Sequence, residues 1–184
     1  YNTGNEAITL DIATQFKEEV LHLVDYNGLK IFTDTSEWAY QNGGAFKQSN
    51  NGSLRTCQPI VFGSICLYAD QTGSQIRAMQ YELQSDIFNS SIINQMTPSD
   101  LVWKPLAMAQ YEDKTDNTGR HLFVLNTATT TNPQLAVCNF VPGNQATIWS
   151  RWTFPDITFN WLGNTYTTNL LVDIVDTKGY PIFM

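Results

Sequence analysis

Residues 146–154 read ATIWSRWTF and set two tryptophans three positions apart. In a helix, Trp149 and Trp152 would share a face and make an ordinary core contact. Their neighbours point elsewhere. Thr147, Ile148, Thr153 and Phe154 are strand formers, as the tryptophans are, and Pro155 closes the run. Side chains alternate along a strand, so a spacing of three sends the two indoles to opposite faces. Ile148, Ser150, Trp152 and Phe154 would share one face, and Trp149, Arg151 and Thr153 the other. A strand with a large ring on each side needs cover on both sides, whereas an antiparallel sheet commonly leaves one face wet.

Period-2 alternation recurs along the rest of the chain. It predicts strands over Val20–Asp25, Leu29–Thr33 and Glu37–Gln41, then Ser64–Ala69 and Gln75–Leu83. A run of four follows: Leu101–Tyr111, His121–Asn126, Gln134–Phe140 and Ala146–Phe154. Asn169–Asp176 and Tyr180–Phe183 begin a further group. The links carry turn chemistry: Asn27-Gly28, 70–73 (DQTG), 116–119 (DNTG), 142–144 (PGN) and 176–179 (DTKG). Only 98–101 (PSDL) could start a helical turn, and Pro105 would end it quickly.

Three hairpins share one plan, an alternating apolar strand, then Asp with Thr or Gly, then a second alternating strand. They are LKIFTDTSEWAY, ICLYADQTGSQIRAMQY and LVDIVDTKGYPIF. The groups recur at roughly the 40–50 residue spacing of propeller blades, without a WD or kelch signature. In a propeller each four-stranded blade lies between two neighbours, and its inner strands are apolar on both faces. The pair Trp149 and Trp152 suits such a strand, with at least one indole deep between blades. The fold expected is all-β, its antiparallel hairpins forming part of a β-propeller. Residues 1–184 would supply roughly three to four blades' worth of strands, the last one incomplete.

Composition narrows the function. Of the 184 residues 42 % are hydrophobic and 12 % aromatic, which argues against disorder. Charged residues are only 15 %, and the net charge is −7 with no basic run, which disfavours a nucleic-acid grip. An acidic wall that DNA slides past is compatible with that balance, because repulsion prevents sticking. The three cysteines, Cys57, Cys66 and Cys138, have no metal-ligand spacing, and two sit in apolar strand patterns. They read as unpaired buried thiols of a reducing compartment. No segment resembles a signal peptide, and no apolar run approaches a membrane span. A start at Tyr1 and an end within YPIFM read as a piece of a longer polypeptide.

Catalysis needs a constellation. His22 and His121 each lie in a strand pattern without a neighbouring nucleophile motif, and no phosphate loop, HExxH or GxSxG is present. Asp113, Asp116 and Gly119 lack the alternating ligands and terminal Glu of a calcium loop, and read as a solvated turn. For glycoside hydrolysis the candidates are Glu18, Glu19 and Glu37 near Trp38, and Asp156 near Trp152 and Trp161. That chemistry requires two carboxyl groups at a defined separation. The Asp-box repeats of sialidase propellers are absent, and the acids read as blade-surface charges. The expectation is no enzyme: no catalytic, cofactor-binding or metal-binding residue, and no cofactor.

Residues 63–86, GSICLYADQTGSQIRAMQYELQSD, resemble the propeller hairpin of podovirus tail nozzle proteins, also called tail tubular protein B. The likeness lies in a Gly-led apolar strand, an Asp70…Gly73 turn, Arg77 and Tyr81 four apart, and Ser85-Asp86. Two further segments agree in order: 16–23 (FKEEVLHL) followed by 29–38 (LKIFTDTSEW), and 134–140 (QLAVCNF) followed by 148–152 (IWSRW). The likeness runs as a pattern over most of the chain, from Glu6 to Met184. The family's platform and distal tip have no counterpart here, and 127–133 (TATTTNP) and 157–166 have none in the family. The resemblance implies a structural virion protein of the phage tail, assembled in the host cytoplasm. It would form a homo-oligomeric ring against an adaptor ring and tail fibres, with a channel through which genomic DNA passes without specific binding. The alternative is a carbohydrate-binding or glycan-hydrolysing propeller, a lectin or depolymerase.

Overall fold

Asn27 and Gly28 both take left-handed backbone angles, φ 47° and 87°, as do Asn42 and Gly43, φ 49° and 84°. Consecutive positive φ values twist a two-residue loop to match the strands it joins, which is why Asn-Gly marks tight hairpins. These two turns frame the first sheet. The computed structural model describes residues 17–99, 101–112, 120–127, 135–140, 147–152, 157–161, 164–168, 174–177 and 180–183. The described elements are all strands.

Sheet 1 is an antiparallel meander of β1 (Val20–Asp25), β2 (Leu29–Thr33), β3 (Glu37–Gln41) and β4 (Gly44–Ser49). Sheet 2 repeats the plan with β5 (Ile60–Phe62), β6 (Ile65–Ala69), β7 (Ile76–Glu82) and β8 (Ile87–Ile92). Sheet 3 does so again with β9 (Pro105–Glu112), β10 (Arg120–Asn126), β11 (Leu135–Phe140) and β12 (Thr147–Trp152). Two hairpins follow, β13 (Ile157–Trp161) with β14 (Asn164–Thr168), and β15 (Ile174–Thr177) with β16 (Tyr180–Phe183). The expected all-β antiparallel architecture is thus observed.

The sheets stack face to face, and alternation decides which residues meet. Cys66 and Tyr68 of β6 join Val24, Phe32 and Ala39 of sheet 1 in one apolar layer. Leu67 and Ala69, the intervening residues, join Leu122, Val124 and Cys138 of sheet 3 in another. The same alternation in β10 turns Phe123 and Leu125 to the far face of sheet 3, with Leu135 and Val137. Sheet 2 is therefore covered on both sides.

Short connections stitch the layers together. The Ser53 N–H donates to Thr33 O (2.9 Å) and the Leu54 N–H to Ala69 O (3.0 Å), tying sheet 1 to sheet 2. Gly52 is required on that crossing: its φ is 67°, and a Cβ there would lie 2.3 Å from Asp34 O. Asn94 accepts from the Ile76 N–H (2.9 Å), and Asn126 accepts from the Trp103 N–H (3.0 Å) while donating to Leu101 O (2.9 Å). Buried side-chain amides thus pair backbone groups the ladders leave open.

Several sequence expectations need correction. Trp149 and Trp152 do lie on opposite faces of one strand, but β12 is the outermost strand of sheet 3. Trp149 is half-buried and Trp152 is 42 % exposed, so neither is deep between sheets. The strands covered on both faces are β6 and β10. β4, β5, β8 and the β13–β14 hairpin are additional to the strands read from alternation. Near the 98–101 segment the Leu101 N–H donates to Pro98 O (3.0 Å), and residue 100 lies outside the described residues. The 113–119 and 141–146 turns lie outside the described residues. Among the described residues no helix is long and apolar enough to cross a membrane.

Candidate functional site

Glu37 and Trp38 are neighbours on β3, so their side chains leave opposite faces of sheet 1. Glu37 is fully buried among the side chains between sheets 1 and 2. Its Oε2 accepts from Ser49 Oγ and from the Asn51 N–H (3.3 Å), while Oε1 has no partner. Burial raises its pKa above the ordinary value, against the opposing pull of Ser49, Asn51, Tyr68 and the Arg77 charge. Burial thus favours the neutral acid over the ion at this position.

Glu18 serves the other face. Its Oε2 accepts from Thr33 Oγ1 (2.7 Å), Ser36 Oγ and Trp38 Nε1 (3.2 Å), and Oε1 meets Lys47 Nζ at 3.3 Å. Partial burial works against the ion, but these four donors outweigh it and hold the carboxyl at about 2. Glu18 therefore closes the β2–β3 turn as an anion at neutral pH. Glu19 pairs with Arg55 at the surface. The acids weighed for hydrolysis do not converge: Glu18 and Glu37 are divided by the sheet itself. Asp156 lies outside the described residues, as do Asp113, Asp116 and Gly119, and Trp161 is described only as part of β13.

The histidines are structural. A ring nitrogen of His22, Nε2, lies 3.0 Å from Leu54 O and fastens β1 to the crossing segment. His121 stacks on Tyr111, ring centres 6.0 Å apart. Cys57, Cys66 and Cys138 are unpaired and buried, and burial pushes each thiol up to about 12. Among the described residues no group of three or more His, Cys, Asp or Glu could hold a metal ion.

Lys30, which sequence reasoning did not single out, is fully buried in the same interface as Glu37. Its ammonium donates to Asn27 O (2.9 Å) and Gly28 O (3.3 Å) and lies 3.9 Å from the centre of the Phe88 ring. Burial lowers its pKa, with Cys66 and Asp25 acting the other way. A lysine within the apolar run LKIF was the available signal. Two carbonyls and an aromatic face compensate for its lost water.

A groove of about 720 Å³ lies between sheets 2 and 3, and a smaller hollow of about 460 Å³ lies beside the β7–β8 turn. β7, β8, the 93–98 connection and Thr147–Trp149 of β12 line the groove. Trp149 Nε1 donates to Ile93 O (3.1 Å), and Thr147 Oγ1 donates to the same carbonyl (3.0 Å). Two donors on one acceptor fix the indole where the sheets part. Trp152, on the opposite face, packs edge-on against Phe123 with ring centres 5.8 Å apart. Comparison with protein families and with curated proteins gives no match for this chain.

Proposed function

We propose that the chain is a β-propeller segment that serves as a rigid structural piece of a phage tail nozzle. On this reading it contributes to a homo-oligomeric ring around a channel for the genome and carries out no bond chemistry. The observation that supports it most is the two-sided burial of sheet 2. Successive four-stranded meanders, each turning one face to the last and one to the next, are the stacking a propeller requires. The placement of β15 and β16 next to β9 of sheet 3 fits a further blade in the same series. The tail assignment comes from the hairpin pattern of residues 63–86. The divergence of Glu18 and Glu37 weighs against a depolymerase. Electron microscopy and mass measurement of the full-length protein test the proposal. A closed ring of one chain supports it, and a monomer that releases sugars from host envelope material refutes it.

A further inference from the structure

We propose that the groove between sheets 2 and 3 binds a neutral, hydroxyl-rich ligand, a glycan, without cleaving it. The inference rests on the groove alone and stands or falls apart from the tail assignment.

Size comes first. About 720 Å³ lies within the roughly 300–1,000 Å³ range of small-ligand sites, room for a few sugar rings. Chemistry then narrows the ligand. None of the described lining residues is charged, so an anionic or cationic ligand would meet no counter-ion there. The walls instead alternate apolar surface with hydroxyls and amides, as a pyranose alternates C–H faces with hydroxyl edges.

The polarity of the hydroxyls is set by bonds already made. Thr147 spends its proton on Ile93 O and Thr97 spends its own on Asn94 O (2.7 Å). Towards the groove both can only accept. A ligand rich in O–H donors satisfies them, and an apolar side chain does not. Gln80 and Gln95, both exposed on the rim, add amides that donate and accept together. Trp149 supplies the apolar platform, and its anchorage on Ile93 O means little rotamer freedom is left to lose on binding. Met96, 97 % exposed at the lip, is an unbranched side chain able to settle over a ligand.

Isothermal titration of the folded protein with maltoheptaose, cellopentaose, chitopentaose and mannopentaose tests the proposal. Saturable binding of at least one is expected. A Gln80→Ala/Gln95→Ala double variant, altered only at exposed side chains, should bind about tenfold more weakly, the loss for two neutral hydrogen bonds. Trp149→Ala should abolish binding, and Trp152→Ala, on the opposite face, should leave it intact. Absence of saturable heat with every neutral oligosaccharide overturns the proposal. So does binding that survives in both groove variants, or a preference for a sulfated oligosaccharide or an apolar peptide over the neutral sugars.

Discussion

Glu18 and Glu37 hold their protons on opposite terms, and each leaves its own mark on acid stability. Glu18 sits at about 2, below its ordinary value of 4.5, because Ser36, Thr33, Trp38 and Lys47 outweigh the cost of its partial burial. Its stabilisation is complete above 4.5 and is lost as pH falls from there towards 2. Glu18→Gln should cost about 1–3 kcal/mol at neutral pH, the range for hydrogen bonds to a charged group, and flatten the acid limb of the melting curve. Glu37 is raised by burial, so its contribution is fullest below 4.5 and declines as pH rises through its folded value. Glu37→Gln keeps the shape of the neutral acid. It should leave neutral stability unchanged or improved, and remove a decline in stability above pH 4.5. A Glu37→Gln protein with a large loss at pH 7 would show that the ion, not the acid, is the native form. The three thiols follow the same logic of burial. Held at about 12, they should resist alkylation in the native state, and all three should label once the chain unfolds.

Individual strands differ in how visible they were in the sequence, and the reason is burial. β6 (ICLYA) is apolar on both faces because a sheet covers each side, and β10 (RHLFVLN) is buried on both faces too, so their runs stand out. The outer strands β4 and β8 are partly hydrated, and GAFKQS and IFNSSI lose the alternation that marks a strand. For β4 the better signal was the Asn42-Gly43 turn rather than the strand. β12 misled in the other direction: two indoles on two faces suggested an inner strand, yet large rings also serve at an edge. Trp149 closes the gap to sheet 2, and Trp152 shields Phe123. The costs of truncation follow that geometry. Trp149→Ala should destabilise by about 2–3 kcal/mol, below the full core value, and Trp152→Ala by about 1–2 kcal/mol. Leu67→Ala, at a fully buried position of β6, should cost about 2–5 kcal/mol. Thermal or denaturant melts of the three variants give the ranking; Trp152 as the costliest would reverse the placement of β12. The groove was less legible than the strands, since Gln80, Gln95 and Thr147 come from separate segments that only folding brings together.

At the scale of the whole molecule, charge and stacking decide how the protein meets DNA. There are seventeen acidic residues against ten basic ones, a net −7. Part of the basic complement is already engaged within the fold: Lys30 with two carbonyls and Phe88, Lys47 with Glu18, and Arg55 with Glu19. Affinity for a polyanion grows with each phosphate neutralised, through counter-ion release, and the acidic excess opposes that gain. Stacking offers little more. A single-strand grip uses successive rings along a positive groove. Trp103 and Trp152, both partly exposed, lie on different strands or turns, and Trp149 is pinned to Ile93 in an uncharged groove. Fluorescence anisotropy with labelled duplex and single-stranded DNA at physiological salt should therefore show no binding up to several hundred micromolar, above the roughly 1–100 micromolar dissociation constants of non-specific DNA binders. On the proposed nozzle reading, a channel wall of this kind would let a polyanion pass because it gives the phosphates little to hold. A micromolar Kd that weakens steeply with added salt would refute that passive role.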